Sequence, residues 1–174
     1  MPRWKAVAAA ALTAVLVAAA SPAQAQRVTV ADAAGDNVGP GLDITSVSIR
    51  NRDHAILATL TFTRDRRSEV IVFVKARGGP LVGVVSEHPR QGPDSTFLIG
   101  GDENDPLCRG LRSVWDRSVA TVTMRLPSRC LAFGDYGAVR SLILIETFRG
   151  ARDVDYAPEK PNGEPAYSDW VPRG

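Results

Sequence analysis

From Asp43 to Phe62 the chain reads DITSVSIRNRDHAILATLTF, two arms in which apolar residues recur at every second position. In the second arm Ile56, Ala58, Leu60 and Phe62 alternate with Ala55, Leu57, Thr59 and Thr61. In the first, Val47 and Ile49 alternate with Ser46, Ser48 and Arg50. A pleated strand points successive side chains to opposite faces, so this period predicts two β-strands with one apolar face each. The spacing places a tight turn at Asn51-Arg52-Asp53. A Gly/Asp-rich loop, DAAGDNVGPGLD, delivers the chain into this hairpin.

The same reading extends along the chain. Arg27–Ala31 predicts a short first strand. Glu69–Arg77 (EVIVFVKAR) is almost continuously apolar and β-branched, the pattern of a strand covered on both faces. Gly78-Gly79-Pro80 breaks it, and Leu81–Glu87 is its predicted hairpin partner. Thr96–Ile99, Leu111–Trp115, Ser118–Leu126 and Ala138–Phe148 read as further strands, with a short helical turn in SRCLAFGDYG. No segment after residue 25 has a 3.6-residue apolar period. About eight strands separated by turn residues predict an antiparallel β-sandwich, with a closed barrel as the second architecture. The domain spans 26–150, and a Pro-rich tail over 151–174 lies on it or extends from it, pinned by Tyr156, Tyr167 and Trp170.

Residues 1–25 have a basic front (Arg3, Lys5), an Ala/Leu/Val run and the exit Ala23-Gln24-Ala25. This is the pattern of a cleaved signal peptide, which makes Gln26 the first mature residue and the protein secreted, extracellular or on the envelope exterior. No later apolar run is long enough to span a bilayer. Of 21 basic residues, Arg3 and Lys5 leave with the leader, so 19 remain against 19 acidic ones. A neutral mature chain offers no bulk electrostatic ground for binding nucleic acid or anionic lipid. Arg64, Arg66 and Arg67 flank Asp65 at a strand end and read as a solvated turn. Cys108 and Cys130 are an even pair in an oxidising compartment, which predicts one disulfide. Its 22-residue separation would contribute about 3 kcal/mol by the chain-entropy argument.

Calcium takes several hard oxygen ligands from a flexible loop. Asp32, Asp36, Asn37 and Asp43 in the glycine-containing loop are the candidate metal ligands, although their spacing is not that of an EF-hand. The alternative for the same residues is a set of Asx turns. Asp102-Glu103-Asn104-Asp105 is a second acidic run, read chiefly as a solvated loop tip. His54 and His88 read as surface histidines, with no G-x-S-x-G, HExxH or phosphate-binding loop nearby. Glu87, Glu146 and Asp153 are the carboxylates considered for glycoside hydrolysis; sequence does not pair them. Trp115, Tyr136, Tyr156, Tyr167 and Trp170 are candidate sugar platforms, or else cover the core.

The mature sequence resembles a group of small secreted actinobacterial proteins of unassigned function. The shared features are Asp32…Gly35-Asp36, Asp43-Ile44-Thr45, Leu60-Thr61-Phe62, Arg125-Leu126-Pro127…Arg129-Cys130-Leu131 and the tail Asp155-Tyr156-Ala157-Pro158…Ser168-Asp169-Trp170-Val171. That resemblance implies an extracytoplasmic sandwich with one disulfide. The opening D-x-x-G-D…D-I is similar to the first strands of DOMON-type and family 9-like carbohydrate-binding sandwiches, some of which bind calcium, sugar or haem. It implies cation binding by Asp32, Asp36 and Asp43. Haem would need paired axial ligands, and Met124 is the only methionine after the leader.

The expected function is therefore a non-enzymatic binding module of the envelope or extracellular space, calcium-stabilised and facing a glycan or an envelope protein. The alternatives are a small extracellular hydrolase, and a secreted inhibitor or structural protein. A histidine buried beside a carboxylate and a serine would favour the hydrolase.

Overall fold

The computed structural model describes residues 26–100, 108–146 and 154–174. Residues 1–25, where a signal peptide is expected, the acidic run at Asp102–Asp105 and Asp153 lie outside the described residues. Two antiparallel sheets form a sandwich. The first contains β1 (Gln26–Ala31), β2 (Ile44–Arg52), β3 (Ala55–Phe62), β7 (Arg112–Asp116) and β8 (Thr121–Pro127), in the order β1-β2-β3-β8-β7. The second contains β4 (Glu69–Ala76), β5 (Leu81–Glu87), β6 (Ser95–Ile99), β9 (Ala138–Glu146) and β10 (Asp155–Ala157), in the order β10-β9-β4-β5-β6. A short β11 (Val171–Pro172) also pairs with β9. The all-β sandwich predicted from the alternation is the observed fold. The tail, read as cover, supplies two additional strands of the second sheet.

The alternation places the core. Val47, Ile49, Ile56, Ala58, Leu60, Phe62, Val122, Met124 and Leu126 line the inner face of the first sheet and are buried. Val70, Val72, Val74, Val84, Ile143 and Ile145 meet them from the second. In β4 the inward residues are fully buried, and so is outward Ile71, whereas Phe73 and Lys75 are half-buried. The covered outer face predicted for this strand is thus only partly formed.

Two local boundaries differ from the sequence reading. Arg52 pairs with Ala55, so the hairpin turn is Asp53-His54, and Asn51 lies inside β2. Asn51 is completely buried because its Nδ2 donates to the carbonyls of Val171 (2.9 Å) and Gly137 (3.3 Å). Those acceptors come from distant sequence, so a turn-forming residue is drawn into a strand. The strand expected over Ser118–Leu126 starts only at Thr121. Asp116 Oδ1 accepts from both the Ser118 backbone N–H and its hydroxyl, which holds an Asx turn, and Val119 is left exposed.

Each lateral seam of the sandwich has its own closure. At β2 the tail strands β10 and β11 bridge the sheets. At β7 a hydroxyl chain crosses to β5 and β6: Trp115 Nε1 donates to Ser86 Oγ (3.0 Å), Ser86 Oγ to Ser113 Oγ (2.6 Å), and Ser113 Oγ lies 2.6 Å from Thr96 Oγ1. Trp115 also stacks on Phe62 with ring centroids 5.9 Å apart. Cys108 and Cys130 lie within disulfide-bonding distance, their Cα atoms 5.0 Å apart.

Leu60→Ala is expected to destabilise by about 2–5 kcal/mol, because Leu60 is wholly inside the core. Leu57→Ala, on the outer face of the same strand, should cost under about 1 kcal/mol. Urea denaturation of both variants checks the face assignment. Reductant should lower the melting temperature of the wild type and leave Cys108→Ser unchanged; equal melting of the wild type in both conditions would count against the crosslink.

Candidate metal centre

Asp32 follows β1, and its backbone N–H donates to the Thr45 carbonyl at 3.1 Å. The loop then doubles back through Gly35, whose φ of +88° suits a residue without a Cβ. The Gly35 N–H lies 3.1 and 3.0 Å from the two carboxylate oxygens of Asp43, which fixes the fold-back. Farther along, Val38 and Val154 exchange backbone hydrogen bonds of 3.0 and 3.1 Å. This bridge docks the loop on the residue before β10 and brings Asp155 under it.

Asp32, Asp36 and Asp155 consequently present carboxylate oxygens that all lie within 4.8 Å of one another. Asp155 is only 2% exposed; its Oδ2 accepts from the Ile44 N–H at 2.7 Å and its Oδ1 from the Tyr156 N–H at 2.9 Å. Asp32 Oδ2 is buried with no hydrogen-bond partner. Among the described residues no salt bridge reaches these carboxylates. Burial, reinforced by Asp155, Asp36, Glu159 and Asp43, pushes the Asp32 carboxyl up to about 7. Burial also raises Asp155 to about 6, against the two backbone donors that favour its charge. Glu159 is raised by desolvation and by Asp36.

Of the four predicted ligands, Asp32 and Asp36 enter the cluster directly. Asp43 braces the loop and adds negative charge. Asn37 uses its Nδ2 on the Gly39 carbonyl at 3.0 Å. Asp155 was missed, since it is 112 residues beyond Asp43 and lies in the stretch read as a Pro-rich tail. An Asp opening a short apolar-flanked strand carries no sequence mark of a distant partner.

Other candidate residues form separate groups. His88 is 2% exposed, so the surface reading is corrected: its Nδ1 lies 2.6 Å from Asp94 Oδ1, its Nε2 faces Asp65 Oδ1 at 3.9 Å, and its ring stacks on Trp115. Both ring nitrogens thus face carboxylates, while the nearby Ser86 hydroxyl is engaged with Ser113 and Trp115. His54 is exposed at the hairpin turn. Glu87 and Glu146 fall in one cross-strand row with Glu69 between them, and burial followed by those two charges raises Glu69. The guanidinium of Arg140 lies 4.4 Å from the Tyr167 ring and 4.9 Å from Trp170, so these aromatics anchor the tail. No protein-family model and no curated protein matches the sequence.

A carboxyl raised on folding favours the native state below its unfolded pKa and loses that contribution as pH climbs through the folded value. In chelator, stability should therefore fall from about pH 4 to about pH 7 through Asp32 and Asp155. Asp32→Asn should flatten this decline, as read by chemical denaturation across that range. An unchanged slope would remove Asp32 as its source.

Proposed function

We propose that the protein is a non-catalytic extracytoplasmic binding module whose sandwich is closed by calcium held by Asp32, Asp36 and Asp155. The observation that carries this reading is the convergence of three carboxylates from both ends of the fold, one oxygen of which is buried without a partner. Carboxylates forced together in a partly buried site repel one another, and a divalent cation reverses that penalty. Calcium–oxygen distances of about 2.4 Å allow one ion to bridge oxygens up to about 4.8 Å apart, which suits the spacing. Calcium also accepts the irregular geometry of a loop and a strand, whereas magnesium demands a near-octahedral shell. Glu159, backbone carbonyls and water would complete the coordination. The buried, doubly carboxylate-facing His88 and the hydroxyl seam support a structural role for those polar groups.

Calcium in hundredfold excess over its Kd should raise stability by about 2.7 kcal/mol over the chelated protein, seen as an upward shift in melting temperature. The shift should grow between pH 5 and pH 7.5 as the carboxyls lose their protons. Asp36→Ala, at an exposed position, should abolish the shift while leaving the chelated protein folded. A wild type that melts identically with calcium and with chelator would overturn the cation reading.

A further inference from the structure

The outer face of the first sheet aligns four of its charged residues in one row, with Arg52 and Asp116 standing outside it. Register aligns Arg27 with Arg50, Arg50 with Leu57, Leu57 with Arg125, and Arg125 with Arg112. Four arginines and one leucine thus form a single row across all five strands. Their strand neighbours Val28, Ile49 and Met124 point into the core, so the row faces outward. Arg27 and Arg112 are exposed, and Arg50 and Arg125 half-buried. With strands about 4.8 Å apart, the row is about 19 Å long.

Like charges directly opposite each other on neighbouring strands destabilise a sheet. Arg27 and Arg50 are such a pair, and Arg112 and Arg125 are another. Among the described residues Arg27, Arg50 and Arg112 have no ion pair, and Arg125 donates only to the Gly110 carbonyl at 3.0 Å. The next row is uncharged and hydroxyl-rich: Thr29, Ser48, Thr59 and Thr123 align, ending at Val114. On the other flank Leu57 and Arg125 line an open depression of about 470 Å³ with Arg52, His54 and Ala55. Asp53 also lines it, but its side chain and carbonyl are taken by Arg173.

We propose that this face binds a linear acidic polysaccharide, with the arginine row on its carboxylates, the hydroxyl row on its sugar hydroxyls and Leu57 against a sugar ring. The charge complementarity is one-dimensional, as an extended chain bearing a carboxylate on each sugar requires. Guanidinium groups present a planar fork matched to carboxylate. Single-stranded nucleic acid is less well served, since the outward positions of these strands carry no aromatic side chain for base stacking, Phe62 and Trp115 pointing inward. An anionic bilayer would want an apolar wedge to insert, and Leu57 and Val114 stand apart in different rows. The inference names the ligand class for the binding-module reading and does not depend on the cation site.

The test is binding of the purified protein to polygalacturonate, in chelator so that calcium plays no part. Neutral dextran, single-stranded DNA and phosphatidylglycerol vesicles serve as comparisons. Polygalacturonate should bind at least tenfold more tightly than the other three, with affinity falling as salt rises. Arg50→Ser with Arg112→Ser should weaken it at least tenfold, whereas Arg64→Ser with Arg66→Ser, the same charge removed from an exposed turn, should change it less than twofold. Circular dichroism confirms that both double variants fold. Equal affinity for DNA or vesicles, equal loss in the two double variants, no binding, or self-association through the Glu69–Glu87–Glu146 row would each overturn the proposal. Because calcium-dependent melting is read separately, failure of the glycan assignment and failure of the cation reading are distinguishable.

Discussion

The hydrogen bond from the Ile44 N–H to the buried Asp155 carboxylate joins the two layers at the start of β2. At the other end of β2 the Asn51 amide holds the carbonyl of Val171. Two tail strands that belong to the second sheet are thereby tied to one strand of the first. Between them the Ser168 N–H donates to the Ser141 carbonyl, and the Ser141 N–H donates to the Ser168 hydroxyl, which keeps the intervening segment on β9. Buried polar groups stabilise only when satisfied, so these bonds demand a unique register between the layers. The apolar core supplies most of the driving force, but many registers could bury the same valines and isoleucines.

That tie creates the electrostatic problem at Asp32 and Asp36. Asp155 must be inside to hold Ile44, and once there it stands against two more carboxylates with no basic side chain between them. A protonated carboxyl relieves the repulsion at low pH; a divalent cation would relieve it at neutral pH. The local chemistry of this corner thus follows from a structural requirement at β2 rather than from the loop alone. The opposite seam uses hydroxyls and Trp115 for the same task, and there the Asp94 and Asp65 carboxylates are separated by the His88 ring.

Charge is clustered locally as well. Nineteen basic and nineteen acidic residues lie after residue 25, yet four arginines align on the outer face of one sheet and three glutamates form a row on the other. A net charge of zero therefore conceals local clusters of opposite sign, the glutamate row sharing its sheet face with the Lys75–Arg140 pair. Field strength near a surface depends on where charges sit within a Debye length, not on their sum.

Alternation along Val47–Ile49, Ile56–Phe62 and Val122–Leu126 by itself determined the strands, their inner faces and the sandwich. Period-2 patterning is a local property that one strand carries whole. The acidic loop and the cysteine pair were also legible, because Asp, Gly and Cys are marked residue types. Tertiary structure alone decided that Asn51 sits in a strand, that His88 is buried, and that Asp155 joins Asp32 and Asp36. It alone aligned Arg27, Arg50, Arg125 and Arg112, residues from four strands separated by up to 98 positions. Each of these depends on which strands become neighbours and in what register, and that is fixed by long-range hydrogen bonds and packing that no local pattern encodes.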